Sequence, residues 1–352
     1  MKKYIFLLAM AAATHCLAQT EVNSFFSGAN EGVTYYLPDT EIKITVDAIC
    51  VTRTPGDFNR YAEKYLRITN AITKSESFWE MTGIKVSTYG KPNPQKMYSV
   101  KLNNSSAGNV SLDGNGVITG INAENIKKEE ETLQETAKAS SGNDVARYMT
   151  EEMLQATSTA KLAELTAKEI YAIRESKLAI TRGQAENMPK DGQSMQLVLS
   201  ELEKQERALT ELFTGRTDTT YSHYTCTLTP PVDGDITKEV LLRFSRKLGF
   251  VDKDNLAGEP IYYNFKDRKS VRMPTPEELE KKKLLKKEGI CYNIPGKAEF
   301  LIYTRSKKLF NSELSIAQLG TTEILSKTLF NKGETTKVTF DPATGGIVKI
   351  EK

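Results

Sequence analysis

The chain has few of the side chains from which most catalytic and metal sites are built. Its 352 residues include two histidines and four cysteines. His15 and Cys16 lie in an amino-terminal segment that we predict is removed, which leaves His223 as the single histidine of the mature chain. One histidine cannot form a multi-histidine zinc site, and the remaining cysteines lack CxxC ligand spacing.

The common catalytic motifs are also missing. The chain contains no GxSxG nucleophile motif, no GxxxxGK[ST] phosphate loop and no GxGxxG turn that opens a helix after a strand. His223 alternates with Tyr221 and Thr225 in a strand-like run, which favours a surface role over that of a base. Paired carboxylates could still hydrolyse a glycosidic bond, but the 45 acidic residues single out no pair. We therefore predict that the protein is not an enzyme, with no catalytic, cofactor-binding or metal-binding residue and no cofactor.

The chain also lacks a strong net charge and a long apolar run. The net charge of +3 provides no electrostatic basis for binding nucleic acid. No stretch after the amino-terminal segment approaches the ~20 apolar residues of a transmembrane helix. The basic cluster within 281–287 is flanked by glutamates, so a solvated helix face is favoured over a site for anionic lipid.

The amino terminus has the pattern of a secretory signal peptide. Lys2 and Lys3 precede an apolar run from Tyr4 to Ala13, and Ala18 is the small residue before the cleavage site. Lipidation at Cys16 is the alternative, but the residues before that cysteine do not match a lipobox. We expect residues 1–18 to be removed. The mature protein would then lie in the periplasm, or at the outer membrane, of a diderm bacterium.

The mature chain divides into three regions of different composition. Residues 19–122 are predicted to form an α+β domain, because Ile42, Ile44 and Val46 alternate with polar residues as in a half-buried strand. An amphipathic helix should follow near Phe58. Residues 216–352 contain short strand-like runs separated by turns, which predicts an antiparallel, β-rich, sandwich-like domain.

Residues 123–215 are rich in Ala, Glu, Lys and Leu, and we expect an antiparallel helical hairpin. The first helix is predicted to run from about Asp144, with Gly183 ending it at positive φ. Asp191 is predicted to cap the second helix. That helix carries a seam of residues spaced as in a coiled coil, namely Met195, Val198, Leu202, Gln205, Leu209 and Leu212. The predicted fold class is therefore multi-domain α+β.

Three cysteines remain after removal of the signal peptide. Cys50, Cys226 and Cys291 allow one disulfide with a free thiol, or three free thiols. Cys226–Cys291 is the pairing to test.

The motif Asp113-Gly114-Asn115-Gly116 has two possible interpretations. The side-chain oxygens of Asp113 and Asn115 have the spacing of ligands in a calcium loop. The distal ligands of such a loop are absent, so a hairpin turn is favoured.

Five segments of the chain carry a resemblance to a known family, and they are YYLPDTEIKITVDA, ITRGQAENMPKDGQSMQLVLSELEKQERALTELFTGRT, VLLRFSRKLGFVDKDNLAGEPIYY, YNIPGKAEF and VTFDPATGGIVKI. The loop from Gly183 to Gly192 and the LAGEP segment at Leu256–Pro260 are the most specific parts. Together these segments resemble a domain-of-unknown-function family of exported proteins from Bacteroides-type bacteria. The resemblance covers nearly the whole mature chain and implies export and a shared architecture, without implying any functional residue.

Two functions are compatible with these observations. We expect a non-enzymatic structural or protein-interaction component of the envelope, whose partner is another envelope protein or a second copy of the chain. The alternative is a module that binds a glycan or peptidoglycan, because sugars stack on exposed aromatic rings. The competing interpretation of these tyrosines is that alternate rings fill a core and bind no sugar. The candidate rings are Tyr221, Tyr224, Tyr262, Tyr263, Tyr292 and Tyr303.

Overall fold

A computed structural model describes most of the chain. The described residues are 33–100, 109–123, 145–185, 191–278, 289–326 and 336–351, together with Glu280 and Leu329. The structure is 25% helix and 50% strand, with three antiparallel sheets and a helical hairpin in the middle of the chain. This confirms the predicted multi-domain α+β class. The domain boundaries at residues 122 and 215 stay a prediction.

The described elements are named here in chain order. The strands are β1 (Val33–Thr54), β2 (Glu76–Val100), β3 (Val110–Leu112), β4 (Ile118–Ile121), β5 (Arg216–Leu228), β6 (Ile236–Ser245), β7 (Gly249–Val251), β8 (Glu259–Asp267), β9 (Gly289–Tyr303), β10 (Lys308–Ser326), β11 (Lys337–Phe340) and β12 (Ile347–Glu351). The α-helices are α1 (Ala62–Leu66), α2 (Glu151–Leu154), α3 (Thr159–Thr181) and α4 (Gly192–Thr214), and short 3-10 turns span Asn59–Tyr61 and Val145–Tyr148.

The three sheets join strands that are far apart in the chain. The first sheet has the order β2-β1-β5, the second β10-β9-β8-β6-β7, and the third β12-β11-β4-β3. β1 pairs with β5 from Ile42 opposite Leu228 to Thr54 opposite Arg216. β4 pairs with β11 in the third sheet. The first and third sheets therefore each combine strands from the predicted regions 19–122 and 216–352.

The first and second sheets enclose one apolar core. Ile42, Ile44 and Val46 are buried in it, whereas Lys43 between them is exposed. Phe300 and Ile302 of β9 contribute from the second sheet. The alternation in β1 is as predicted at Lys43, since side chains two residues apart point to the same side of a strand. Thr45, on the same face as Lys43, is buried instead.

A second apolar core lies further along the same long strands. Tyr35 and Leu37, at the start of β1, and Ile290, at the start of β9, are buried there. Val338 and Phe340 of β11 complete it from the third sheet. β1 and β9 thus contribute to both cores.

A turn between β11 and β12 lies where the long strands pass from one core to the other. The β1–β2 register shifts between Tyr36 and Pro38, and the β9–β10 register shifts between Ile316 and Thr321. Such shifts leave backbone groups without partners in the ladder. The Asp341–Gly346 turn supplies some of the missing partners.

Thr40 and Asn293 make most of the contacts to this turn. The Thr40 hydroxyl donates to the carbonyl oxygen of Ala343 at 2.9 Å. The buried Asn293 amide donates to the carbonyl oxygens of Pro38 at 3.1 Å and Thr344 at 2.8 Å. The Asn293 backbone N–H also donates to the carbonyl oxygen of Gly345 at 3.0 Å. These contacts join β1 and β9 through one turn.

A third apolar core holds the helical hairpin against the connection between β1 and β2. Phe58, Ala62 and Leu66 of that connection pack with α3 and with Leu209 and Phe213 of α4. The rings of Phe58 and Phe213 lie 5.4 Å apart, edge to face. The amphipathic helix predicted after β1 is confirmed in part, since a 3-10 turn at Asn59–Tyr61 precedes the five-residue α1. This segment packs against the base of the hairpin.

The first helix of the hairpin differs from the prediction. It was expected to be continuous from about Asp144, but α2 ends at Leu154 and α3 begins at Thr159. The Thr150 hydroxyl accepts the N–H of Met153 at the start of α2, and the Ser158 hydroxyl accepts the N–H of Lys161 at the start of α3. Two amino-terminal caps in close succession start two helices rather than one.

Replacing Asn293 by alanine should destabilise the β-rich part of the protein. The Asn293→Ala variant leaves buried acceptors on Pro38 and Thr344 without their donor, so we expect a loss of about 2–3 kcal/mol in the free energy of unfolding. Urea denaturation followed by circular dichroism measures it.

The matched control is Asn255→Ala, which removes an amide from an exposed turn and should cost less than about 0.5 kcal/mol. Equal losses in the two variants would contradict the importance of the Asn293 contacts.

Candidate functional site

The helical hairpin is fixed by a charged contact between α3 and α4. Arg174 Nε lies 2.6 Å from Glu206 Oε1, and Lys177 Nζ lies 3.1 Å from Glu206 Oε2. Partial burial opposes ionisation of Glu206, but the hydrogen bonds from the two cations outweigh it and lower the pKa of this carboxyl. The contact therefore bridges the two helices.

The ends of the hairpin helices confirm two predicted residues. Gly183 follows α3 with a φ of +70°. Asp191 caps α4, since its carboxylate accepts the Ser194 N–H at 2.8 Å. That hydrogen bond lowers the pKa of Asp191. Pro189, between these two residues in the chain, lies outside the described residues.

The apolar seam of α4 is buried only near the base of the hairpin. Leu209 is fully buried, whereas Val198 is 39% exposed. Two further apolar side chains in the same distal half are also open to solvent, since Leu178 of α3 is 47% exposed and Leu197 of α4 is 70% exposed. We call Leu178, Leu197 and Val198 the hairpin tip. All three lie in the half of the hairpin farther from the β1–β2 connection.

A cleft of about 310 Å³ lies near the base of the hairpin. Its walls are mostly charged or polar, whereas small-molecule pockets are usually lined by apolar side chains. Burial raises the pKa of Glu211 in this wall. The lining residues are Arg174, Glu203, Glu206, Arg207, Thr210, Glu211 and Thr214.

The six candidate tyrosines separate into three groups. Tyr224, Tyr263 and Tyr292 pack in or against the two β cores, so they are structural. Tyr221 is 64% exposed on β5. The remaining two, Tyr262 and Tyr303, are half-buried.

Tyr262 and Tyr303 form a paired aromatic surface on the second sheet. They are opposite each other on β8 and β9, and their rings lie 5.7 Å apart. Lys238 Nζ is 5.8 Å from the centre of the Tyr262 ring. The Tyr303 hydroxyl donates to Asn264 Oδ1 at 3.3 Å. We call this group the tyrosine pair.

The other candidate residues are placed as follows. His223 is exposed on β5, opposite Asp47 of β1. Asp113 forms a turn between β3 and β4, since its carboxylate accepts the N–H groups of Asn115 and Val117, each at 2.8 Å. The hairpin turn predicted there is therefore confirmed. The basic cluster at 281–287 lies outside the described residues.

Cys50, Cys226 and Cys291 form no disulfide with one another. Cys226 packs against the first core, while Cys291 is buried in the second. The backbone N–H of Cys291 donates to the Tyr35 hydroxyl at 2.8 Å. The Cys226–Cys291 disulfide is therefore not formed, because its two cysteines belong to different cores.

Among the residues that the structure describes, no group of three or more His, Cys, Asp or Glu side chains is arranged to hold a metal ion. No helix among them is both long and apolar enough to cross a membrane.

The chain matches one family model over residues 31–348, with the description "Domain of unknown function (DUF4831)". The chain belongs to the DUF4831 family. This confirms the predicted membership of an uncharacterised family. No curated protein and no solved structure matches the chain.

The Glu206 contact should make hairpin stability depend on pH. Because the folded pKa of Glu206 lies below its usual value of 4.5, the carboxylate stabilises the fold above that pH. The contribution is lost as the pH falls through the folded pKa. We expect Glu206→Gln to cost about 1 kcal/mol near neutral pH, and progressively less below 4.5.

Thermal unfolding of the native and variant chains across this pH range measures the difference. Glu175→Gln, on the exposed surface of α3, is the control and should change little at any pH. A cost of Glu206→Gln that stays constant with pH would contradict the assignment.

Proposed function

We propose that the protein is an exported, non-enzymatic component of the cell envelope that acts by binding another envelope protein. The hairpin tip is its contact surface. The observation that carries this proposal is the contrast between the two ends of the hairpin. The base is buried in a core with the β1–β2 connection, while the tip leaves Leu178, Leu197 and Val198 exposed.

Covering these side chains with a partner would stabilise the resulting complex. Removing a leucine side chain from water stabilises a complex by about 1.5–3 kcal/mol, and interface cores are richer in apolar residues than the remaining surface. A helical pair held at its base presents such residues at little entropic cost. These features favour a role in assembly or scaffolding.

The proposed location rests on the amino terminus. Lys2, Lys3 and the apolar run before Ala18 support cleavage of a signal peptide. The resemblance to exported proteins of Bacteroides-type bacteria supports the periplasm, or the periplasmic side of the outer membrane, as the site of action.

Charging the hairpin tip should abolish partner binding. In the Leu178→Asp, Leu197→Asp double variant, two carboxylates replace apolar contacts, so we expect recovery of the bound envelope protein to fall at least about tenfold. Affinity purification of the tagged chain from its native envelope, followed by quantitative mass spectrometry, measures this.

Leu256→Asp is the matched control, because Leu256 is 82% exposed outside the hairpin. It should leave partner recovery unchanged. Recovery that is the same for all three chains, or that falls equally in the control, would overturn the proposed contact surface.

The tyrosine pair favours a second candidate function, the binding of an envelope glycan. Tyr262 and Tyr303 are adjacent on one sheet, and Asn264 and Lys238 lie beside the rings as hydrogen-bonding groups. Aromatic rings offer large apolar surfaces on which sugars stack.

A glycan site at the tyrosine pair should be lost when the rings are removed. We expect isothermal titration with envelope polysaccharides to give heat for the native chain and for Tyr89→Ala, whose ring is exposed on β2. The Tyr262→Ala, Tyr303→Ala double variant should give none. The absence of heat from the native chain, or its persistence in the double variant, would remove this candidate.

A further inference from the structure

The outer edge of β5 is a long strand edge to which no described strand is paired. β5 lies at one end of the first sheet and pairs with β1 along all 13 of its residues. An edge of this kind has a row of backbone N–H and C=O groups available to another strand.

The opposite edge of the same sheet is protected, and β5 is not. β2 carries lysines and prolines, including Lys85, Lys91, Pro92 and Pro94, and its register against β1 is interrupted twice. Lysine, proline and bulges are the devices by which natural sheets prevent edge pairing. The stretch Thr219–Leu228 contains no Lys, Arg, Asp, Glu or Pro, and its pairing with β1 has no register shift.

We propose that β5 pairs with β5 of a second copy of this chain, antiparallel and across a two-fold axis at Ser222. Ser222 is the midpoint of the strand, so this register pairs every β5 residue from Arg216 to Leu228. The first sheets of the two copies then form one continuous six-stranded sheet. This inference does not depend on the proposed function of the hairpin.

The side chains of β5 are complementary to themselves in this register. On the exposed face, Tyr221 lies opposite His223 of the partner copy, and Thr219 lies opposite Thr225. Aromatic and threonine pairs of this kind stabilise neighbouring strands. Arg216 and Asp218 are already paired with each other at 2.7 Å. No residue faces a like charge, which favours a second copy as the occupant.

A cysteine at the two-fold axis tests this register directly. Antiparallel pairing places the two Ser222 Cα atoms about 4.5–5.5 Å apart, within the span of a disulfide. In a chain with Cys50 and Cys226 replaced by alanine, Ser222→Cys should form a disulfide-linked dimer under mild oxidation.

Thr220→Cys is the matched control on the same strand. Its two cysteines would lie roughly 14 Å apart along the ladder, so this variant should remain unlinked on a non-reducing gel. A Ser222→Cys chain that stays monomeric, or equal linking of the two variants, would overturn the proposal.

Sedimentation velocity provides a second test without cysteines. The native mature chain should sediment as a dimer, and the Thr219→Lys, Thr225→Lys variant as a monomer, because each new lysine faces another across the interface. The Thr82→Lys, Ser87→Lys variant, with the same charges at exposed positions of β2, should remain dimeric. A monomeric native chain, or a lysine-bearing β5 that still dimerises, would overturn the proposal. The hairpin-tip variant should also remain dimeric, which separates this inference from the proposed function.

Discussion

The buried hydrogen bonds around the Asp341–Gly346 turn are the contacts on which the β-rich architecture depends. The β1–β2 and β9–β10 pairs change register between the two cores, and buried backbone groups without partners are costly. The turn is ordered by its own aspartate, since the Asp341 carboxylate accepts the N–H of Ala343 and the hydroxyl of Thr344. It therefore presents its carbonyl groups to Thr40 and Asn293. The turn also lies close to β2, because a Cβ added to Gly90 of β2 would lie 2.1 Å from the carbonyl oxygen of Pro342.

The long strand β1 connects this turn to β5 and to the helical hairpin. From its contacts with the turn, β1 crosses the first core beside β5 and leads into the segment against which the hairpin packs. There the backbones of Gly56 and α4 are in contact, and the Phe58 N–H donates to the Leu212 carbonyl oxygen at 2.7 Å. The base of the hairpin is thus fixed to the sheet. Leu178, Leu197 and Val198 lie toward the opposite end of the hairpin and are exposed to solvent.

Local features of this fold could be predicted from the sequence, and distant pairings could not. The alternation at Ile42–Val46, the Asp191 cap and the turn at Asp113 each depend on residues within a few positions of one another. The pairing of β1 with β5 joins strands separated by more than the whole hairpin, and no periodicity encodes it. The first helix was predicted too long because its apolar spacing continues across Ser158, whose cap outweighs that spacing. The spacing of the α4 seam does not indicate how much of it is covered, so the exposure of Val198 could not be predicted either.

The central claim is that the hairpin tip contacts another envelope protein. Photo-cross-linking in the native envelope tests it most directly, with a photoreactive amino acid placed in turn at Leu178, Leu197 and Leu256. The account predicts adducts with one defined envelope protein from Leu178 and Leu197, and none with that protein from Leu256. The absence of adducts from the tip, or the same adducts from all three positions, would contradict it.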